Sequence, residues 1–149
     1  MSRSYIAKAL RQLVINRAEG VCEYCLIHEN DTFYGCQVDH IISEKHGGLT
    51  TADNLAYACT FCNRYKGSDV GSIVLRTGEF SRFFNPRIDQ WADHFTLDNG
   101  IIVALTDIGM VTVNILDFNN PERLLERQAL QTMGCYPSVA ALKRMIVQG

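Results

Sequence analysis

No apolar run in the chain approaches the roughly 18 residues that a membrane-crossing helix needs. The opening stretch, MSRSYIAKALRQLVINRAEG, does not read as a secretory signal, because Lys8 and Arg11 interrupt any apolar core. Together these point to a cytoplasmic protein. An excess of either charge is also lacking: 14 Lys and Arg stand against 16 Asp and Glu, so no global basicity announces a nucleic-acid partner. Proline is scarce, with three in 149 residues, and there is no internal repeat, low-complexity tract or long linker. The length suits one domain with a sizeable core.

What the chain does have is six cysteines. In a reducing compartment a disulfide framework is unexpected, so paired cysteines suggest metal binding or redox work. Charge, though balanced overall, is uneven. Residues 60–87 carry Arg64, Lys66, Arg76, Arg82 and Arg87 against Asp69 and Glu79, whereas residues 88–149 carry seven acids against four cations. An anionic partner should therefore meet the middle of the chain.

Ile6, Leu10, Leu13 and Val14 fall at helical spacing, which predicts an amphipathic helix over residues 4–18 with Gly20 ending it. From Cys22 to Gly67 there is no long period, only short pieces punctuated by glycine. CQVDHII and AYAC suit strands, and TFCNRYKG suits the start of a helix. Beyond Gly71 the stretch FTLDNGIIVALTDIGMVTVNILDF has β-branched runs separated by Asn99-Gly100 and Ile108-Gly109, which predicts an antiparallel meander. Pro121 opens a helix, PERLLERQALQTM, stopped by Gly134, and a last helix is expected from Ser138 to Val147. The fold class expected is α+β: a zinc-stapled finger with an N-terminal helix, a C-terminal meander and two helices. A single domain over 1–149 is expected, with its core finger at about 20–70 and an extension at about 71–149.

Cys22-x-x-Cys25 and Cys59-x-x-Cys62 are enough for one tetrahedral zinc site with four cysteine ligands. The zinc would hold the fold and not react. Neither pair follows a strand in a βαβ unit, which weakens a redox reading. Cys36 and Cys135 have no partner at ligand spacing and read as small buried side chains. Between the knuckles loops a polar segment containing VDHIISEKHGG, where an acid and a histidine stand side by side.

That segment, with CEYC before it and TTADNLAYACTFCNRYKGSD after it, strongly resembles the HNH endonucleases, also called ββα-metal or His-Me finger nucleases. The order Cys-x2-Cys, Asp-His, Asn-Leu, Cys-x2-Cys-Asn, Lys-Gly carries the resemblance over about 48 residues. FFNPRIDQWADHF, from Phe83 to Phe95, is similar to an extension found in small bacterial members. The third signature position is Asn63 rather than histidine, the HNN form. Singly, Asp39-His40 would suit a strand end, Asn54 a turn cap and Asn63 a polar helix face. Their order inside two CxxC pairs sets them apart.

Hydrolysing a phosphodiester needs a base for water, a cation for developing charge and a scaffold holding both. A neutral imidazole titrates near physiological pH, so His40 can take the proton. By resemblance, Asp39 and Asn63 are ligands of a divalent metal, Mg2+ or Mn2+, and Asn54 pins the loop that aims His40. The resemblance implies DNA as the partner, cut to leave 5′-phosphate and 3′-hydroxyl ends. Lys45, Arg64 and Lys66 lie closest to the proposed site as phosphate contacts, with Arg82 and Arg87 as outer ones. For the aromatic interval Glu79 to Phe95, packing the sheet onto the finger is the expected role rather than base stacking. A homodimer or larger assembly would allow both strands to be cut. The alternative is a non-catalytic zinc module that binds nucleic acid or protein.

Overall fold

Strand β1 (Cys36–His40) pairs antiparallel with β2 (Leu55–Cys59), placing Val38 opposite Tyr57, Asp39 opposite Ala56 and His40 opposite Leu55. Strand residues alternate faces, yet all five positions of β2 are buried, so both faces of this ribbon are covered. On one face Val38, Leu55 and Tyr57 pack with Ile6 and with Val14 and Ala18 of helix α1 (Lys8–Ala18). On the other, Ala56 and Ala58 join the main core with Cys22, Cys25, Phe84, Trp91 and Phe95. Helix α2 (Thr60–Lys66) follows β2 directly, its first turn capped by Cys59 Sγ accepting from Cys62 N at 3.4 Å. The unit is a ββα finger, seen in a computed structural model that describes residues 5–146.

The second half adds a hairpin of β3 (Gly71–Val74) and β4 (Glu79–Arg82), one turn of helix α3 (Trp91–His94), and a hairpin of β5 (Phe95–Asp98) and β6 (Ile101–Ala104). Helices α4 (Asp107–Ile115), α5 (Pro121–Thr132) and α6 (Val139–Met145) complete it. Two-stranded hairpins are marginal alone, and these depend on a shared aromatic core. Phe95 sits with its ring centroid 5.1 Å from Trp91, 5.3 Å from Phe84 and 5.7 Å from Phe118. Two hydrogen bonds tie this half to the first knuckle: Trp91 Nε1 donates to the Tyr24 carbonyl at 2.8 Å, and Tyr136 Oη donates to the Cys25 carbonyl at 2.9 Å.

The α+β class is as expected, but the meander is not. The Asn99-Gly100 turn forms, with φ of 50° and 83°, as a tight hairpin requires. The next apolar run is helix α4 instead of a third strand. Ile108, Val111, Thr112 and Ile115 recur at i, i+3, i+4 and i+7, and this stripe faces the core. Thr106 fixes the helix start, its Oγ1 accepting from Gly109 N at 3.0 Å. Gly109, expected at a turn, lies inside the helix against the end of α3 and of β6, where an added Cβ would meet the His94 carbonyl oxygen at 2.3 Å and Ala104 Cβ at 3.4 Å.

Three full helices therefore follow β6 where two were expected, and the β3–β4 hairpin was not anticipated. Helix α1 begins at Lys8; of the expected span, Ser4 lies outside the described residues, as does Val147 of the last helix. Cys36 and Cys135 are half-buried rather than buried. Among the described residues no helix is long and apolar enough to cross a membrane.

Candidate active site and metal centre

The turn after α1 and the start of α2 bring Cys22, Cys25, Cys59 and Cys62 together, all buried, with their sulfurs within 4.8 Å of one another. Cys25 and Cys59 Sγ are 3.7 Å apart. Four thiolates at the usual Zn–S length of about 2.3 Å, arranged tetrahedrally, would have their sulfurs about 3.8 Å apart. The donor set and spacing fit one zinc ion. Hydrogen bonds from the other three cysteines, together with the Arg123 charge, hold the Cys25 thiol well below its ordinary pKa.

Toward the other end of α2 lies a second corner, at the end of β1. His40 is 6% exposed; its Nε2 is hydrogen-bonded to Thr50 Oγ1 at 2.9 Å, with Glu44 Oε1 3.6 Å away. Asn54 stitches the loop that follows. Its Oδ1 accepts from Ile42 N, and its Nδ2 donates to the carbonyls of Ile42 and Leu49, each at 2.9 Å. The Ile41 amide donates to the Asn54 carbonyl at 2.8 Å.

The two glycines that close this loop have different reasons. Gly47 takes a φ of +86°, and Gly48 passes so close that an added Cβ would stand 1.7 Å from the Ile42 carbonyl oxygen. Lys66 Nζ donates to the His40 carbonyl at 3.1 Å. Burial lowers the Lys66 pKa, partly offset by Asp39 and Asp69, which places the Asp39 carboxylate in the field of that ammonium.

The cysteine frame and the Asp-His-Asn corner occupy one continuous segment, and residues 22–69 match the family model for HNH endonucleases. The match covers about a third of the chain, from the first cysteine pair to just beyond α2. No curated protein and no solved structure matches the chain.

Within the HNH segment, His40, Asn54 and Lys66 gather at the end of β1. Asn63 is buried one turn before Lys66 on the same side of α2. Asp39 lies on the strand face opposite His40.

The expected phosphate contacts divide. Lys45 and Arg64 are exposed, the latter with its guanidinium 5.7 Å from the ring centroids of Phe61 and Tyr65. Lys66 departs from the expectation: it is 2% exposed, because the three-residue step from Asn63 turns it inward onto the His40 carbonyl. Arg82 is paired with Asp89 at 2.7 and 3.0 Å, and Arg87 with the buried Glu23. His46 is exposed.

Sequence reasoning missed three participants. Thr50 and Glu44 flank the His40 imidazole, and only the loop's closure brings them there. Arg123, on α5, is 6% exposed and donates from Nη2 to Cys62 Sγ at 3.1 Å, while its Nη1 donates to the carbonyls of Leu116 and Asp117. Burial alone would lower its pKa, but the facing Cys62, Cys25 and Cys59 more than reverse this, and the net shift is upward. A signal was present in the sequence: Arg123 and Arg127, four residues apart, share one helix face, and this face is the buried one while Leu125 is 66% exposed.

Proposed function

We propose that the chain is a metal-dependent HNH endonuclease that hydrolyses DNA phosphodiester bonds, with His40 as the general base. The observation that carries this reading is the His40 corner itself. Inside the matched segment, the imidazole is held by the Thr50 hydroxyl beside a carboxylate, and Asn54 fixes the loop behind it through three side-chain hydrogen bonds.

His40 takes the proton from the attacking water. Thr50 and Glu44 orient the ring. Asp39 and Asn63 offer two oxygen donors, the hard ligands that suit Mg2+ or Mn2+, and would hold such an ion between β1 and α2. Bound there, the ion would offset the charge that develops on the phosphate. Lys66 is a positioning residue that braces the His40 backbone from α2. Lys45 and Arg64 would meet the DNA backbone from the open side, giving salt-sensitive affinity with little sequence preference. The four cysteines would hold zinc as a structural staple.

The test is plasmid nicking with Mg2+ or Mn2+. Relaxation or linearisation by the wild type, absent in His40→Ala, is the expected result. Equal cutting by both proteins would remove His40 from the chemistry. No cutting by either, across DNA forms and metals, would favour a non-catalytic zinc module.

A further inference from the structure

Beside the His40 corner is a cavity of about 320 Å3, at the lower end of the roughly 300–1,000 Å3 typical of ligand pockets. One wall is Ile41 and Ile42, the residues that follow His40, together with Lys66, whose ammonium holds the His40 carbonyl. His46 closes the loop side, and Phe80 and Phe83 face it from β4 and the residue after it. Among the described residues no carboxylate lines this cavity.

Phe80 is the unexplained member. It is 60% exposed, whereas Phe83, Phe84, Trp91 and Phe95, which follow it, are all buried at 5% or less. Nor is it loose. Its ring lies over Gly71 of the facing strand, where an added Cβ would come within 2.5 Å of Phe80 Cζ. A glycine under an aromatic ring is a familiar way of seating that ring on a hairpin. Its cross-strand partner Ile73 is 49% exposed and Ile42 is 43% exposed, so an apolar surface runs from the hairpin to the pocket wall. A preset, open aromatic ring beside an apolar cavity lined by Lys66 and by no carboxylate suits a planar, uncharged group attached to an anionic chain.

We propose that this cavity is a base-binding pocket, in which one unpaired nucleobase stacks on Phe80 while its backbone crosses the His40 corner. The inference rests on the nuclease reading and narrows its substrate to single-stranded or locally unpaired DNA, because a paired base is stacked within the duplex and out of reach. Phe80 sets specificity and takes no part in proton transfer.

The experiment measures affinity in a His40→Ala background, using a fluorescent single-stranded oligonucleotide carrying 2-aminopurine, and the blunt duplex of the same sequence. Nicking of plasmid by the chain with His40 intact is run in parallel. The single strand should bind roughly tenfold tighter than the duplex, with quenching of the 2-aminopurine. Phe80→Ala and Phe80→Leu should each weaken single-strand binding at least about fivefold and leave duplex binding within about twofold. Phe80→Tyr, which keeps the ring, should retain the preference. Phe80→Leu covers Gly71 with apolar bulk, so its loss would trace to the ring and not to hairpin collapse. Unchanged single-strand affinity in both variants, or equal weakening of both DNA forms, would assign this face to packing or to a protein contact and overturn the pocket. If the His40-intact chain nicks DNA in that case, the nuclease reading stands alone. If it cuts nothing and neither DNA form binds, both readings fall.

Discussion

Arg123 Nη2 donates to Cys62 Sγ across 3.1 Å, joining a C-terminal helix to the second cysteine pair of the matched segment. A zinc ion with four thiolates carries a formal charge of −2, and a buried charge needs a partner. Arg123 supplies one, and its other hydrogen bonds go to the Leu116 and Asp117 carbonyls and, at 3.8 Å, to Cys59 Sγ. Charge-assisted hydrogen bonds contribute about 1.5–3 kcal/mol. Arg123→Met should therefore lower zinc affinity roughly tenfold or more. Chelator competition measures this, with the tetrahedral thiolate spectrum of the cobalt-substituted protein reporting that all four sulfurs still coordinate. Arg123→Lys should fall between the two.

Asn54→Ala removes three hydrogen bonds that fasten both ends of the 42–49 loop. The expected cost is about 1–3 kcal/mol of stability, from backbone groups that lose their partner. Cleavage rate should fall well beyond that, through kcat more than KM, because Arg64, on α2 and outside the loop, would still meet the DNA. Urea unfolding and steady-state kinetics on the same preparation check both. A rise in KM alone would make Asn54 a binding residue.

Gly48→Ala meets a harder obstacle. Its Cβ would overlap the Ile42 carbonyl oxygen and crowd Asn54 Nδ2, at 2.8 Å. The loop must open, so nicking should drop steeply while the core stays folded, at about 1–3 kcal/mol. Gly47→Ala, where nothing lies within 4 Å, suffers only the strain of its positive φ. The ordering of the two variants in a nicking assay is the prediction.

Asp89 gives the pH dependence. Burial would raise its pKa, but hydrogen bonds from Arg82 and the Asn85 amide, with the Arg82 and His94 charges, bring it below the ordinary carboxylate value. A depressed carboxylate pKa stabilises the fold above its unfolded value and loses that contribution as pH falls through the folded one. Wild type should therefore exceed Asp89→Asn in urea stability at neutral pH, and the gap should close below about pH 4. A gap that widens in acid would reverse the assignment.

The HNH segment was legible because its chemistry is local in sequence. Two CxxC pairs, Asp39-His40 and Asn63 sit within one short frame, and β1, β2 and α2 fell where their patterns placed them. The extension was less legible for two physical reasons. In α4 a β-branched run carried a helical stripe, and the alternation of its neighbours masked the period. In α5 the buried face is arginine, because its counter-charge is a thiolate cluster far away in the sequence. Lys66 shows the same limit: a cation near a phosphate site reads as a surface contact until the helix phase turns it inward.

Strand β2, buried on both faces, bears on how the matched segment could be handled as a part. Its rear is walled by α1, which precedes the family match, and its front by aromatics and an arginine that come after it. Residues 22–69 are thus no portable cassette. Transplanted alone into another scaffold, they would present Val38, Leu55 and Tyr57 to water and leave the sulfur cluster without its cation. A working graft would have to carry both walls.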